Sequence, residues 1–317
     1  MREVTLLAAG GTISSVEGAS GRPGATPQLD AAGLVADLPV TVHARSLKAL
    51  NGSQLSNTDA LDIAREARAE TDAGRGVVVT SGTDTIEEIA VLCDALCGDG
   101  PPVVVTGAIR PASSHGADGP ANLVDAVAVA AAEETAGIGG VVCFAGEIHA
   151  GRTVRKADST APHAFTSPRS GPIGRVAEAR VDLFARPVRG PRVTPERLDF
   201  RVPIVSTWLG DDGTLLRAAF DTAPDGLVLV GLGAGHLPPP TLSVLSARGA
   251  ELPVVLAVRP ERGHQLRETY GFEGSERDVL AAGVIPAAAV SPAGARMLLL
   301  AALGAGLRGE GLRAVFA

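Results

Sequence analysis

Short β-branched apolar runs alternate with longer helical patterns along the first half of the chain. Strands are predicted at Val4–Ala8, Val40–Ser46, Gly76–Thr80, Pro102–Thr106 and Gly140–Phe144. Helices are predicted at Asn57–Thr71, Thr85–Cys97 and Ala121–Glu134. Such alternation builds βαβ units, and repeated units impose a parallel sheet with right-handed crossovers. The rhythm breaks between Ala185 and Arg201, where Pro187, Pro191 and Pro195 fall in a stretch with little apolar periodicity. A domain boundary is expected there. A second α/β pattern follows, with strands at Val202–Thr207, Gly226–Val230 and Pro253–Val258 and helices at Pro239–Ala247, Ser275–Ala282 and Pro292–Ala305. Ser291 before Pro292 reads as an N-cap with proline at the first helical position. The expected fold is α/β: a larger N-terminal, mostly parallel sheet flanked by helices (1–184), a linker (185–201) and a smaller C-terminal α/β domain (202–317).

A length of 317 residues accommodates two domains. Aromatic residues make up only 3% of the chain against 45% apolar, so the cores must be filled by Val, Leu, Ile and Ala, as buried parallel strands are. A net charge of −7 with no basic stripe and no aromatic platforms argues against a nucleic-acid partner. The arginines of Arg186–Arg201 read as a linker crossing the surface. Cys93, Cys97 and Cys143 lie in apolar surroundings and read as core thiols of a reducing compartment. Neither they nor the histidines show metal-ligand spacing, so no metal or other cofactor is expected. Met1-Arg2-Glu3-Val4 runs straight into a strand without a leader pattern, and no apolar run reaches membrane-spanning length. The expected location is the cytoplasm, with no membrane partner.

In open parallel sheets, ligands bind beyond the carboxyl ends of the strands, so the residues after each strand carry the functional information. Gly10-Gly11-Thr12-Ile13 follows the first strand. Its glycines permit a sharp turn close to a ligand, with the Thr12 hydroxyl free to face it; a helix cap or plain turn explains the same residues. Gly52-Ser53-Gln54 follows the second strand and mixes donors and acceptors, as a zwitterionic amino acid requires; Ser53 equally suits a cap for the next helix. Ser81-Gly82-Thr83-Asp84-Thr85 follows the third. Thr83 or Asp84 suits a helix cap, yet together they also set a hydroxyl beside a carboxylate.

Among 28 basic residues only Lys48 and Lys156 are lysines. Where cations are otherwise written as arginine, a retained lysine suggests a need for an amine that can lose its proton, although a solvated loop lysine is the plainer alternative. Thr83, Lys156 and Asp84 then form a possible triad: lysine takes the threonine proton and aspartate orients the lysine. Peptide N–H groups of the glycine turns are candidates for an oxyanion hole. Gly231-Leu232-Gly233-Ala234-Gly235 is not a dinucleotide fingerprint, because His236 holds its sixth position.

These segments, in this order, resemble the bacterial L-asparaginase family over nearly the whole chain. The resemblance rests on Ala9–Ile13, Gly52–Gln54, Ser81–Thr85, Thr106–Pro111, Ala117–Leu123 and Gly151–Lys156, with Tyr270-Gly271-Phe272 and Ser291–Leu300 near the end. It implies hydrolysis of L-asparagine to L-aspartate and ammonia, with no cofactor, by a homodimer or homotetramer with sites near subunit interfaces. It also implies that Thr12 is the nucleophile that forms an acyl-enzyme, and that Thr83, Asp84 and Lys156 form a second hydroxyl–base group. Ser53, Gln54 and Asp84, with Gly52, would hold the substrate's α-carboxylate and α-ammonium, and Gly11, Gly82 and Ala108 would shape the amide pocket.

Two features depart from the family pattern. The loop Ser14–Thr26, where the family carries a catalytic lid tyrosine, has none; the only tyrosine is Tyr270. Ser14, Ser15, Glu17, Thr26 or water is expected to take its place, in a Gly- and Ser-rich loop suited to a mobile gate. His236 stands where the family has an asparagine reaching the adjacent subunit, and the carboxylates of Glu261–Glu268 do not match the family spacing. The competing readings are a same-family amidohydrolase for glutamine or another amide, and a ligand-binding homologue without catalysis. A tRNA-dependent amidotransferase subunit would carry an extra N-terminal domain, for which a first strand at residue four is expected to leave no room.

Overall fold

The computed structural model describes residues 2–18, 24–36 and 38–317, and the chain divides after Arg192 into two compact units. The first holds an eight-stranded sheet. Its strands are β1 (Val4–Gly10), β2 (His43–Leu50), β3 (Gly76–Thr80), β4 (Val103–Thr106), β5 (Gly140–Phe144), β6 (Glu147–Ala150), β7 (Gly174–Ala177) and β8 (Arg180–Leu183). They run in the order β8-β7-β6-β5-β4-β3-β1-β2. The pairs β2–β1, β1–β3, β3–β4 and β4–β5 are parallel. The pairs β5–β6, β6–β7 and β7–β8 are antiparallel, which makes the sheet mixed.

The parallel strands are apolar on both faces because both faces are covered. Leu6, Val78, Val104 and Val141 pack with Leu123, Ala126 and Ala130 of helix α4, counting α1 as Ala31–Val35, α2 as Asn57–Asp72, α3 as Ile86–Leu96 and α4 as Gly119–Ala131. Alternate residues such as Leu7, Val79 and Val105 point the other way and are fully buried. There α2 and α3 pack against each other and against the strands. Removal of each such side chain from water contributes roughly 1.5–3 kcal/mol.

The second unit has its own four-stranded parallel sheet: β9 (Ile204–Ser206), β10 (Leu227–Gly231), β11 (Val254–Val258) and β12 (Ile285–Pro286), in that order. Helices α5 (Thr214–Asp221), α6 (Pro239–Arg248), α7 (Glu276–Ala281), α8 (Pro292–Gly304) and α9 (Gly309–Ala314) accompany it. Leu216, Phe220, Leu242, Leu245 and Val279 close its core over Leu227, Leu229 and Leu256. Ser291 caps α8, accepting the Gly294 N–H at 2.6 Å, with Pro292 at the helix start as the sequence implies. The α/β class with a larger N-terminal sheet and a smaller C-terminal domain is what the chain forms.

The arginine-rich stretch is not wholly the surface crossing that its composition suggests. The Arg189 side chain is only 12% exposed, and its Nε lies 2.8 Å from Asp94 Oδ1. Its remaining N–H groups donate to the carbonyls of Asp94, Cys97 and Gly98, which lie at or just beyond the end of α3. A guanidinium there satisfies carbonyls that a helix end leaves without partners. No helix among the described residues is long and apolar enough to cross a membrane.

Candidate active site

Strand order locates the site. From β1 the chain passes to β2 on one side, then returns across β1 to β3 on the other. The connections above β1 and β3 therefore diverge and open a crevice at the carboxyl edge, where α/β sheets bind ligands. The turns entering it are those after β1, β2, β3 and β4.

Thr12 begins a short helical turn, Thr12–Ser14, directly after β1. Gly11 occupies the cap position with φ 86°, a conformation natural to glycine, so Thr12 is not spent on a cap. A Cβ built on Gly11 would sit 2.4 Å from the Gly82 nitrogen, and one on Gly82 would sit 2.4 Å from the Gly52 nitrogen. Only glycine lets these turns meet backbone to backbone, and their contact brings the first three motifs together.

The helix-cap alternatives for the polar residues fail. Ser56, not Ser53, caps α2 in a reciprocal box with Asp59, leaving Ser53 exposed. Thr85 holds the cap position of α3 without a side-chain bond, so Thr83 and Asp84 are not needed there. Gln54 has a local duty: its Oε1 accepts the Asn51 N–H at 3.0 Å, which leaves its amide N–H groups to donate.

Thr83 and Asp84 instead meet Lys156. The lysine Nζ donates to Thr83 Oγ1 at 2.9 Å and to Asp84 Oδ1 at 2.8 Å. Thr83 is buried and 18% of the Lys156 side chain is exposed, while the Asp84 side chain is 65% exposed. Lys156 lies on a two-stranded ribbon, Arg155–Lys156 against Phe165–Thr166. Its backbone N–H donates to Glu87 Oε1 in the first turn of α3 at 2.6 Å. The sequence offered no sign of this role for Glu87, because a backbone acceptor leaves no pattern in residue type. Among the described residues no hydrogen bond joins Thr12 to the Thr83–Asp84–Lys156 group.

Lys48, the other lysine, is held away from this chemistry. Its Nζ lies 2.6 Å from Asp59 Oδ1, and this bond with those from Ser56 holds the Asp59 carboxyl down at about 2. The pair ties β2 to the start of α2 and so supports the Gly52–Gln54 turn.

Ala108 is fully buried after β4. Its loop is clasped by Asp118, which accepts the N–H groups of Ile109 and Arg110 at 3.0 and 2.8 Å. Asn122 Nδ2 donates to the Gly107 carbonyl at 3.0 Å, and its Oδ1 accepts the Ala145 N–H at 2.9 Å. The Ala117–Leu123 motif thus holds the loop after β4 in place. Within the Ser81–Thr85 turn and the residue before it, the hydroxyls of Thr80, Ser81 and Thr85 are buried without partners. Unpartnered buried hydroxyls favour a polar occupant.

Two of the residues expected in place of a lid tyrosine have a local duty. Ser14 and Ser15 are buried and both donate to the Gly11 carbonyl, at 3.0 and 2.9 Å, so they hold the turn. Glu17 and Thr26, expected there beside water, lie where Ser15–Glu17 pairs with Ala25–Pro27. The gate expected at Ser14–Thr26 includes residues 19–23, which lie outside the described residues. In the second unit, His236 Nε2 sits 3.2 Å from Glu276 Oε2 and edge-on to Tyr270 and Phe272. The three cysteines are buried free thiols, and burial pushes Cys97 up to about 11. No group of three or more His, Cys, Asp or Glu among the described residues could hold a metal ion.

Residues 3–189 match the family described as "Asparaginase, N-terminal", and residues 201–316 match the "Glutaminase/Asparaginase C-terminal domain". The chain is 37% identical to the "Probable L-asparaginase" of Deinococcus radiodurans over 99% of its own length and 96% of that protein. It is 31% identical to the "Probable L-asparaginase periplasmic" of Haemophilus influenzae, over 95% and 88%. The solved structure of a probable cytoplasmic L-asparaginase from Campylobacter jejuni superposes with a TM-score of 0.85 at 26% identity, covering 100% of this chain and 99% of that one. The chain belongs to the asparaginase family, amidohydrolases that act on carboxamide C–N bonds.

Proposed function

We propose that this chain is an L-asparaginase that hydrolyses L-asparagine to L-aspartate and ammonia through an acyl-enzyme on Thr12. The observation that carries the reading is the double bond of Lys156 Nζ to Thr83 Oγ1 and Asp84 Oδ1, made across 73 and 72 residues of sequence. A lysine fixed between a hydroxyl and a carboxylate is a proton-transfer device. In this reading the Thr12 hydroxyl attacks the amide carbon. Peptide N–H groups of the Gly11 and Gly82 turns hold the oxyanion. The C–N bond breaks, nitrogen takes a proton and leaves as ammonia, and water then splits the Thr12 ester to release aspartate. Asp84 orients Lys156, which takes the Thr83 proton and so drives the second hydroxyl. Gly52, Ser53 and Gln54 hold the α-carboxylate and α-ammonium with Asp84, and Gly11, Gly82 and Ala108 bound the amide pocket.

The reading includes a homotetramer or homodimer with sites near subunit interfaces. Trp208 and Leu209, just beyond β9, and Tyr270 and Phe272, shortly before α7, are all substantially exposed and support that part of it. It also includes a cytoplasmic location, supported by the three free thiols. The test is ammonia release from L-asparagine and L-glutamine by wild type and Thr12→Ala. Asparagine turnover that the substitution abolishes supports the reading; no release from either amide by folded protein removes it.

A further inference from the structure

Beyond the crevice lies a buried polar chain that the proposed chemistry does not use. His149, on β6, is 1% exposed and pairs with Val142 of β5 in the rigid sheet. Its Nδ1 lies 3.1 Å from Ser167 Oγ. Thr153 Oγ1 donates to Ser167 Oγ at 3.4 Å, and Ser170 Oγ donates to Thr153 Oγ1 at 3.2 Å. His149 Nδ1 and the three hydroxyls thus form one connected chain, and the buried Nε2 makes no hydrogen bond among the described residues. That nitrogen faces Glu147 Oε2 at 3.5 Å, and Glu147 in turn faces Arg175 of β7 at 3.5 Å. Burial lowers the imidazole to about 4, which keeps it neutral near pH 7.

The two hydroxyls next to His149 flank the ribbon that carries Lys156. Ser167 directly follows Thr166 on one leg, and Thr153 lies just before Arg155 on the other. Phe165 of the ribbon, which pairs with Lys156, packs on Phe144 of β5 with centroids 4.8 Å apart. That apolar contact and the bond from the Lys156 N–H to Glu87 hold the ribbon against β5 and α3. The directional bonds through His149 add a tie from the residues flanking the ribbon to β6.

We propose that His149, acting through Ser167 and Thr153, is a positioning residue that sets the place of the Lys156 amine. The inference rests on the proposed role of Lys156, but its test has a readout of its own. Because the chain holds only Lys48 and Lys156, lysine enriched in carbon-13 at Cε gives two side-chain signals, assigned with Lys48→Arg. In Ser167→Ala and His149→Leu, the Lys156 signal and its pH titration shift while those of Lys48 stay in place. In the same variants kcat for ammonia release falls about tenfold with KM within about threefold, as misplacement of one reacting group predicts. His149→Asn, which keeps a polar atom near the Nδ1 position, recovers most of both. Unchanged Lys156 signals and kcat in both variants overturn the inference, and so does a common shift of both lysines, which marks general loosening. Should His149→Leu not fold, Ser167→Ala decides alone. Should wild type release no ammonia, the asparaginase reading fails, while the lysine signals still settle whether His149 positions Lys156.

Discussion

The backbone N–H of Lys156 donates to the carboxylate of Glu87 at 2.6 Å. Asp84, in the turn leading into α3, holds the side-chain amine of the same lysine. The N-terminal end of one helix thus fixes both the main chain and the charged tip of a residue far along the sequence. The Lys156 ribbon and the β3 turn act as one unit, although neither belongs to the other's sheet pairing.

Glu87→Ala should therefore weaken catalysis through placement alone. It removes the acceptor of a partly buried N–H, a loss of about 1–3 kcal/mol, and frees the ribbon by a fraction of an ångström or more. We expect kcat to fall roughly tenfold, with Glu87→Gln, whose Oε1 still accepts, within about threefold of wild type. Steady-state ammonia release with thermal unfolding of both variants checks this. Equal losses in the two variants would mean that charge, not acceptance of this N–H, is what Glu87 contributes.

The two lysines should separate cleanly. Lys156→Arg keeps a cation beside Asp84 but substitutes a group that cannot lose its proton in a protein, so kcat should fall by about 10²–10⁴. Stability should change by less than about 1 kcal/mol, since the pair with exposed Asp84 is screened by water. Lys48→Arg keeps its pairing with Asp59 and Asp62 and should leave kcat within about twofold. Comparable loss in both variants would show that cation size, not proton transfer, matters.

What the sequence revealed follows from what leaves a pattern in residue type. β1, β3, β4 and β5 are buried on both faces and so had to be written in Val, Leu and Ala; their predicted positions agree with the structure to within a residue or two. β8, at the sheet edge, left no such trace, because Arg180–Leu183 alternates charged and apolar residues and reads as loop, and its neighbour Gly174–Ala177 is as mixed. Lys156 stood out because arginine replaced lysine almost everywhere else. Its partners Thr83 and Asp84 could be named but not distinguished from helix caps until Thr85 was found in the cap position. Nothing in residue type shows that the Ser14 and Ser15 hydroxyls both turn back on the Gly11 carbonyl. Bonds to backbone atoms, including that of Glu87, are the part a sequence does not encode in residue type.

Asp94 should be the most costly single charge to lose. Its side chain is 4% exposed, and its two oxygens accept from Arg152 Nε and Arg189 Nε, each at 2.8 Å. Asp94→Ala leaves two guanidinium groups facing each other in a low-dielectric region, a loss of about 3–5 kcal/mol. Arg189→Ala removes one charge together with the partner of three carbonyls at the end of α3 and should have a loss of the same order. Urea denaturation of both variants measures this. A loss below about 1 kcal/mol for Asp94→Ala would mean that water reaches the cluster.

His149 should make the fold sensitive to mild acid. An unfolded histidine titrates near 6.5, whereas burial holds His149 at about 4. Between those values the unfolded chain binds a proton that the folded chain refuses, so stability falls as pH drops through the window. The depressed pKa sets this sign: the contribution is complete above pH 6.5 and is lost on acidification, by about 3 kcal/mol in all. Glu147, facing Nε2, opposes the shift, but Arg175 engages that carboxylate and the burial effect is larger. Asp59, held at about 2, loses its contribution around and below its ordinary value of 3.8, at the acid edge of the window. Urea denaturation between pH 7.5 and 4.5 should show a slope in wild type that shrinks by about one proton in His149→Asn. Identical slopes would place the imidazole in water, where it could neither hydrogen-bond Ser167 nor help hold the ribbon that carries Lys156.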